Sequence, residues 1–279
     1  MQAYKNLLQR ILDNGQLIPN RTGISAITVF DESIKYENVK EQFPLYTLRK
    51  TFFKSAYIET LWILGNHMNR PEYKDLEMTN IKFLEDYGCT YWKHWADENG
   101  NLGKVYGYNL RKFGGKVDQL TNIINLLKTD PDNRRILFSL WDPVAVENNE
   151  LRLPCCHYTC QFFSKPLPDG TRELSLKWYQ RSLDTVCGSP YDAVIYSTLL
   201  CMIAQVTNHK VGNISASFGN THIYENHLDI VKEILNREPL PLPKLVMNES
   251  IKNIEDFWVD DIKVENYVSH PAIKAIPAV

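Results

Sequence analysis

The chain has 279 residues, 44% hydrophobic and 23% charged, with a formal net charge of −2. That length can bury a sizeable core, as one large domain or two small ones. The near-neutral balance supplies no global field to recruit nucleic acid or an anionic membrane, so any anion must be held locally.

From the N-terminus, "YKNLLQRILDNG" places Leu7, Leu8, Ile11 and Leu12 on one helical face, and Gly15 can close that helix. "ISAITVFDESIKY" alternates and predicts a strand. "TFFKSAYIETLWILGN" carries apolar residues at helical spacing with Glu59 among them. Residues 66–90 are polar and predict a small helical excursion, and "DENGNLG" and "GGK" predict turns. "VDQLTNIINLLKTDPD" is a helix stopped by Pro131, followed by "RRILFSLW" as a strand opening on two arginines. "HYTCQFF" and "ELSLKWYQRS" pair around the "PLPDG" turn. Residues 192–208 form the most apolar helix, with Asp192 just ahead of the apolar run. "NISASFGNTHIY" is a strand running into a helix at 223–236, and "IKVENYV" is a late strand. No repeat, linker or low-complexity segment divides the chain. The expectation is one α+β domain over residues 1–279, a mixed sheet with one face covered by helices.

No run of about 18 apolar residues offers a membrane span, and "MQAYKNLLQR" lacks the apolar core of a secretion signal. A cytoplasmic protein is expected, or one of a host cytoplasm if phage-encoded. The six cysteines (89, 155, 156, 160, 187 and 201) then read as reduced thiols, mostly small core residues. Cys155, Cys156 and Cys160 lack a second Cys/His pair at zinc-site spacing, so no metal is expected.

Four features carry chemistry, each with a plainer alternative. Cys156-His157 offers a thiolate nucleophile or a core cysteine at a strand start. Arg21, Arg134, Arg135 and Arg181 include two in apolar contexts, where a charge needs a partner; a phosphate fits the guanidinium fork, and so does a carboxylate. Glu59 on its apolar helix is a proton carrier of raised pKa, or an acid at the edge of the buried face. His222 and Tyr224, two apart on an extended segment, point to one side and could bond a hydroxylated ligand, or be structural.

The ordered series "RTG", "E..LW", "W..WADENGNLG.VYG", "DPDNRR", "CH....QF", "QRS.D...G.P", "THIY.NH" and "HP.IK...AV" resembles the thymidylate synthase family over about residues 5–279. The resemblance implies a sheet-to-sheet homodimer acting on a pyrimidine nucleoside monophosphate with 5,10-methylenetetrahydrofolate as co-substrate. It implies Cys156 as the nucleophile at C6 of the base, Glu59 as the general acid/base working through water, and Tyr106 near the C5 proton. His157 joins this catalytic set. Arg21 and Arg181 would hold the phosphate, joined by Arg134 and Arg135 of the partner subunit, and Arg181 would lower the Cys156 pKa. His222 and Tyr224 match the pair on the sugar 3′-hydroxyl, with Gln180 and Ser182 beside the nucleotide. Trp92, Asp184, Gly188 and Val279 match positions on the folate side.

The chain departs from that pattern at Asp192, where members specific for deoxyuridylate carry Asn. Uracil offers N3–H and O4, which an amide matches; cytosine offers the reverse. An acceptor facing O4 in a closed site costs several-fold to many-fold in discrimination. Asp192 therefore predicts a cytidylate substrate, ribo or deoxy, as in the family's deoxycytidylate hydroxymethylases. The longer segment between Trp62 and Trp92, Phe52 in place of a common His, and Cys155 in place of a Pro remodel the one-carbon region. The leading expectation is hydroxymethylation at C5 of cytidylate; the alternative is reductive methylation, of deoxyuridylate or deoxycytidylate.

Overall fold

The computed structural model describes residues 1–278; the expectation placed on Val279 lies outside the described residues. The chain opens with helix α1 (Gln2–Asn14), which buries Leu7, Leu8 and Ile11, the predicted face. Strands β1 (Gln16–Ile18) and β2 (Ala26–Tyr36) follow, then α2 (Phe53–Leu64). Gly65 ends α2 in the left-handed region at φ 78°, where a side chain would be strained. The excursion at 66–90 is mostly turns and one short helix, α3 (Lys82–Asp86). It is tied to the body by Phe83 against Trp258, ring centroids 5.4 Å apart, and by a Trp62 Nε1–H bond to the Asn80 carbonyl.

Helices α4 (Tyr106–Lys112) and α5 (Gln119–Thr129) come next, α5 capped by the Asp118 carboxylate on Thr121 N–H. The predicted arginine-led strand is shorter than expected: β3 is Leu137–Ser139, and Arg134 and Arg135 lie in the turn before it. After α6 (Pro143–Glu147), strands β4 (His157–Pro166) and β5 (Arg172–Asp184) pair antiparallel. Helix α7 (Ser189–Val206) leads to β6 (Lys210–Tyr224) and α8 (Leu228–Asn236). A separate hairpin-like pair, β7 (Lys244–Met247) and β8 (Ile262–Glu265), closes the described chain; the sequence reading had only the second of these.

The main sheet runs β1-β2-β6-β5-β4-β3 and is mixed, because β5 and β6 are parallel while the other pairs are antiparallel. A parallel pair needs a crossover, and α7 is that crossover. It is mostly apolar, and every residue from Ala193 to Ala204 is buried. Pro190 sits in its first turn, where a missing N–H costs nothing. Asp192 lies in this first turn; the helix begins at Ser189, three residues ahead of the 192–208 expected from the apolar run. Along β5, Leu174, Leu176, Trp178 and Gln180 all face inward, whereas Phe30 and Phe163 stand exposed on the other face.

Leu200 on α7 is fully buried. Leu200→Ala is expected to cost about 2–5 kcal/mol in urea unfolding, as lost burial plus cavity; a loss below about 1 kcal/mol would show α7 is not packed as described.

Candidate active site

The parallel pair brings two strand ends side by side. Asp184 of β5 lies opposite His222 of β6, and Ser182 opposite Asn220. On the other flank His157 of β4 lies opposite Gln180, and the Arg181 N–H bonds the Cys156 carbonyl at 2.9 Å. Residues scattered over seventy positions are thus gathered by sheet register alone.

Cys155 and Cys156 point in opposite senses. Cys155 is buried, and its sulfur accepts the Tyr106 N–H at 3.3 Å. Cys156 is half-buried, and its own N–H donates to the Tyr106 hydroxyl at 3.0 Å. Arg181 is anchored by bonds to the Cys155 and Pro154 carbonyls at 2.9 and 2.8 Å, which leave Nη2 at 3.9 Å from Cys156 Sγ. Burial raises the Cys156 thiol; Arg181 pulls it down, and Arg21 more weakly, without cancelling the rise. The cation therefore acts in the expected direction, but desolvation is the larger effect.

Beneath Cys156 runs a chain of donors. Trp178 Nε1 can only donate, and it meets Gln180 Oε1 at 3.2 Å. That turns the Gln180 amide nitrogen towards Asp192 Oδ2, at 2.9 Å, and towards the Ser182 carbonyl, at 3.1 Å. The other oxygen, Oδ1, lies 3.9 Å from His157 Nε2. His157 is no cation: burial drives its pKa down to about 3, and its Nδ1 meets the Tyr196 hydroxyl. Asp192 thus has no positive partner. Burial pushes its carboxyl up to about 7, opposed by the Gln180 bond and reinforced by Glu59 and Asp184. Gly188 packs close to β5: a Cβ there would stand 3.1 Å from the Asp184 carbonyl, a tight approach.

Glu59 reaches the same region from α2, buried, with its pKa raised by desolvation. Trp92 Nε1 donates to one oxygen at 2.8 Å and the Tyr91 hydroxyl to the other. His222 and Tyr224 do share a side of β6, ring centroids 4.9 Å apart, and His222 Nδ1 is fixed by Asn220 Oδ1 at 2.8 Å. Asp184 Oδ1 accepts the N–H groups of Val186 and Cys187 at 2.8 and 2.9 Å. Its neighbours Cys187 and His227 put ligand-type atoms within 4.8 Å of it and of each other, but His227 Nε2 already meets the Ile276 carbonyl at 2.8 Å.

The arginines need a correction. Arg21, Arg134, Arg135 and Arg181 are all exposed, so none is a buried charge awaiting an anion. Arg21 and Arg181 are near Cys156. Arg134 instead lines a groove on the outer sheet face with Lys35, Phe163 and Lys177, and Arg135 follows it in the same turn. Within one chain, then, Arg134 and Arg135 are not part of this site.

The profile of the thymidylate synthase family matches residues 2–279. The chain belongs to the thymidylate synthase family. It is 40% identical over 308 aligned positions to the thymidylate synthases of Mycoplasma mobile and of Malacoplasma penetrans, in each case over the full length of both chains. It is therefore a one-carbon transferase of that family, whose members are nucleotide-binding homodimers using methylenetetrahydrofolate. No helix among the described residues is long and apolar enough to cross a membrane. Trp92 packs against Trp95 with ring centroids 5.7 Å apart, and half-buried Tyr191 lies beside the backbone of exposed Phe52. Such aromatic surfaces fit a flat heteroaromatic ring.

Sequence reasoning missed Trp178, Tyr196, Asn220 and Tyr91. Trp178 and Asn220 were within reach of period-2 logic, each two places from a chosen residue on the same strand face. Tyr91 directly precedes Trp92 and Tyr196 lies one helical turn after Asp192, but a tyrosine in such an apolar setting reads as packing.

Arg181→Ala should slow iodoacetamide alkylation of Cys156 by about fivefold at fixed pH, the factor given by a water-screened attraction of ~1 kcal/mol at such a distance. An unchanged rate would remove Arg181 from the thiol's electrostatics.

Proposed function

We propose that the chain adds a one-carbon unit from 5,10-methylenetetrahydrofolate to C5 of a pyrimidine nucleoside monophosphate and finishes reductively, leaving a methyl group. The observation that carries this is the clustering of Cys156, Tyr106, Glu59 and Asp192: the Cys156 N–H bonds the Tyr106 hydroxyl, and the Asp192 carboxyl lies close enough to feel both Cys156 and Glu59. Both relatives are named for the methylating reaction, which supports this outcome over the hydroxymethylation that the departures from the family pattern favoured.

In this reading Cys156 adds to C6 and makes C5 electron-rich, and the carbon unit supplied by the bound folate joins C5. Glu59 moves protons at the base. Arg21 and Arg181 take the phosphate, His222 and Tyr224 the sugar hydroxyl, and Ser182 lies alongside. Trp92, Asp184 and Gly188 shape the folate side. The exposed outer face of the sheet, with Phe30 at 81% and Phe163 at 65% accessibility, supports packing against a second copy. That would carry Arg134 and Arg135 to the partner's phosphate.

Asp192 favours a second reading of the base. Its Oδ2 is committed to Gln180, and a proton on the carboxyl makes it donor and acceptor at once. The neutral acid then matches uracil as an amide would, O–H to O4 and C=O from N3–H. It also matches cytosine, with the two roles exchanged. The anion offers only acceptors. Cytosine can answer by protonating N3, whereas uracil leaves O4 facing a carboxylate. Cytidylate is therefore the base partner best suited to the ionised form, and deoxyuridylate needs the proton.

A carboxyl at about 7 is neutral below that pH and ionised above it. The kcat/KM for deoxyuridylate relative to deoxycytidylate should fall as pH rises through 7, and Asp192→Asn should abolish the fall and favour uridylate by roughly tenfold or more. Mass spectrometry reads the product, a gain of CH2 for methyl or CH2O for hydroxymethyl, and near-ultraviolet absorbance reads dihydrofolate. A base preference that neither pH nor Asp192→Asn alters would defeat the cytosine reading. A CH2O gain without dihydrofolate would defeat the methyl assignment.

A further inference from the structure

Glu59 has both carboxylate oxygens met by protein donors: Trp92 Nε1 on Oε1, at 2.8 Å, and the Tyr91 hydroxyl on Oε2. Trp92 belongs to the recurring sequence pattern; Tyr91 has no part in it. Its ring packs on Trp92 with centroids 5.9 Å apart, so the hydroxyl is aimed by packing rather than by a flexible stem. The other titratable groups near Glu59 are Cys89, whose thiol is turned to the Ser55 carbonyl at 3.7 Å, with Tyr191 and Asp192. None of these bonds Glu59 among the described residues.

A buried carboxylate oxygen needs a donor, from protein or from an ordered water. Where the protein supplies it, that water is not needed. Water near Glu59 matters for the reaction proposed above. Once the carbon unit is on C5, the base carries an exocyclic methylene there and Cys156 on C6. If the methylene carbon accepts hydride from the reduced folate, the methylene electrons form the C5–C6 double bond. The thiolate leaves C6 with the C–S pair, and methyl and dihydrofolate result. If water attacks the same carbon, its oxygen bonds there and its proton passes to Glu59. The thiolate again leaves C6, giving hydroxymethyl with the folate left as tetrahydrofolate.

We propose that Tyr91 is a positioning residue that, by occupying Glu59 Oε2, fixes the carboxylate and denies that oxygen to a water able to attack the new carbon. The inference rests on the one-carbon-transfer reading above and adds what steers its last step towards methyl.

The test is Tyr91→Phe, which removes one oxygen, with Tyr91→Leu as a second variant lacking the hydroxyl. Two signals are read. In ligand-free enzyme labelled with 13C at glutamate carboxyls, and with Glu59 assigned by Glu59→Gln, the Glu59 titration should move up by roughly one pH unit, as expected when an anion loses one donor. In turnover with 5,10-methylenetetrahydrofolate, the hydroxymethyl-to-methyl ratio should rise several-fold, dihydrofolate per nucleotide should fall, and nucleotide KM should hold. An unchanged Glu59 titration in both variants overturns the proposal, whatever the turnover. A shifted titration with an unchanged product ratio overturns its water-excluding half. If the wild type converts no pyrimidine nucleotide, the one-carbon reading is what fails, and the titration still decides whether Tyr91 holds Glu59.

Discussion

The site depends on one constraint: Asp192 is placed where water cannot solvate its charge and no cation stands by to replace the water. The carboxyl is 8% exposed, and the nearest histidine is itself kept neutral by burial. The one strong bond it receives comes from Gln180, whose amide is turned by Trp178. An amide bond to an anion offsets only part of the desolvation. The balance leaves a carboxyl that gains and loses its proton near neutrality. A neutral acid offers one donor and one acceptor, as an amide does.

The rest of the fold serves this placement. The crossover helix α7 is buried along most of its length, so its side chains are mostly apolar. Asp192 in its first turn is met by Gln180, which comes up from β5. The same parallel register sets Asp184 against His222 at one end of the sheet. Cys156 enters from the next strand, its backbone fixed by Tyr106 and Arg181.

Much of this was legible in the sequence. Alternation gave β2, β4 and β5, and helical spacing gave α1, α2 and α5. What failed did so for physical reasons. The "RRILFSLW" segment looked like a strand with buried arginines, but hydrophobicity does not say which face a turn exposes, and Arg134 and Arg135 lie in the open. The sequence puts the start of α7 at Asp192, three residues late, because apolar runs mark a helix's body, not its first turn. The hydroxymethyl outcome was drawn from what surrounds the reacting carbon, and the names of the relatives favour methyl instead. Tyr91 was invisible because its contact with Glu59 spans 32 residues.

The most direct measurement is infrared difference titration of the Asp192 carboxyl in ligand-free enzyme, its carbonyl band assigned by loss in Asp192→Asn. A protonated-acid band that fades with a midpoint near 7 is the predicted result. A midpoint near 4, the ordinary range for an aspartate, would mean the carboxyl is ionised throughout, and the account of base reading by a shared proton would fall.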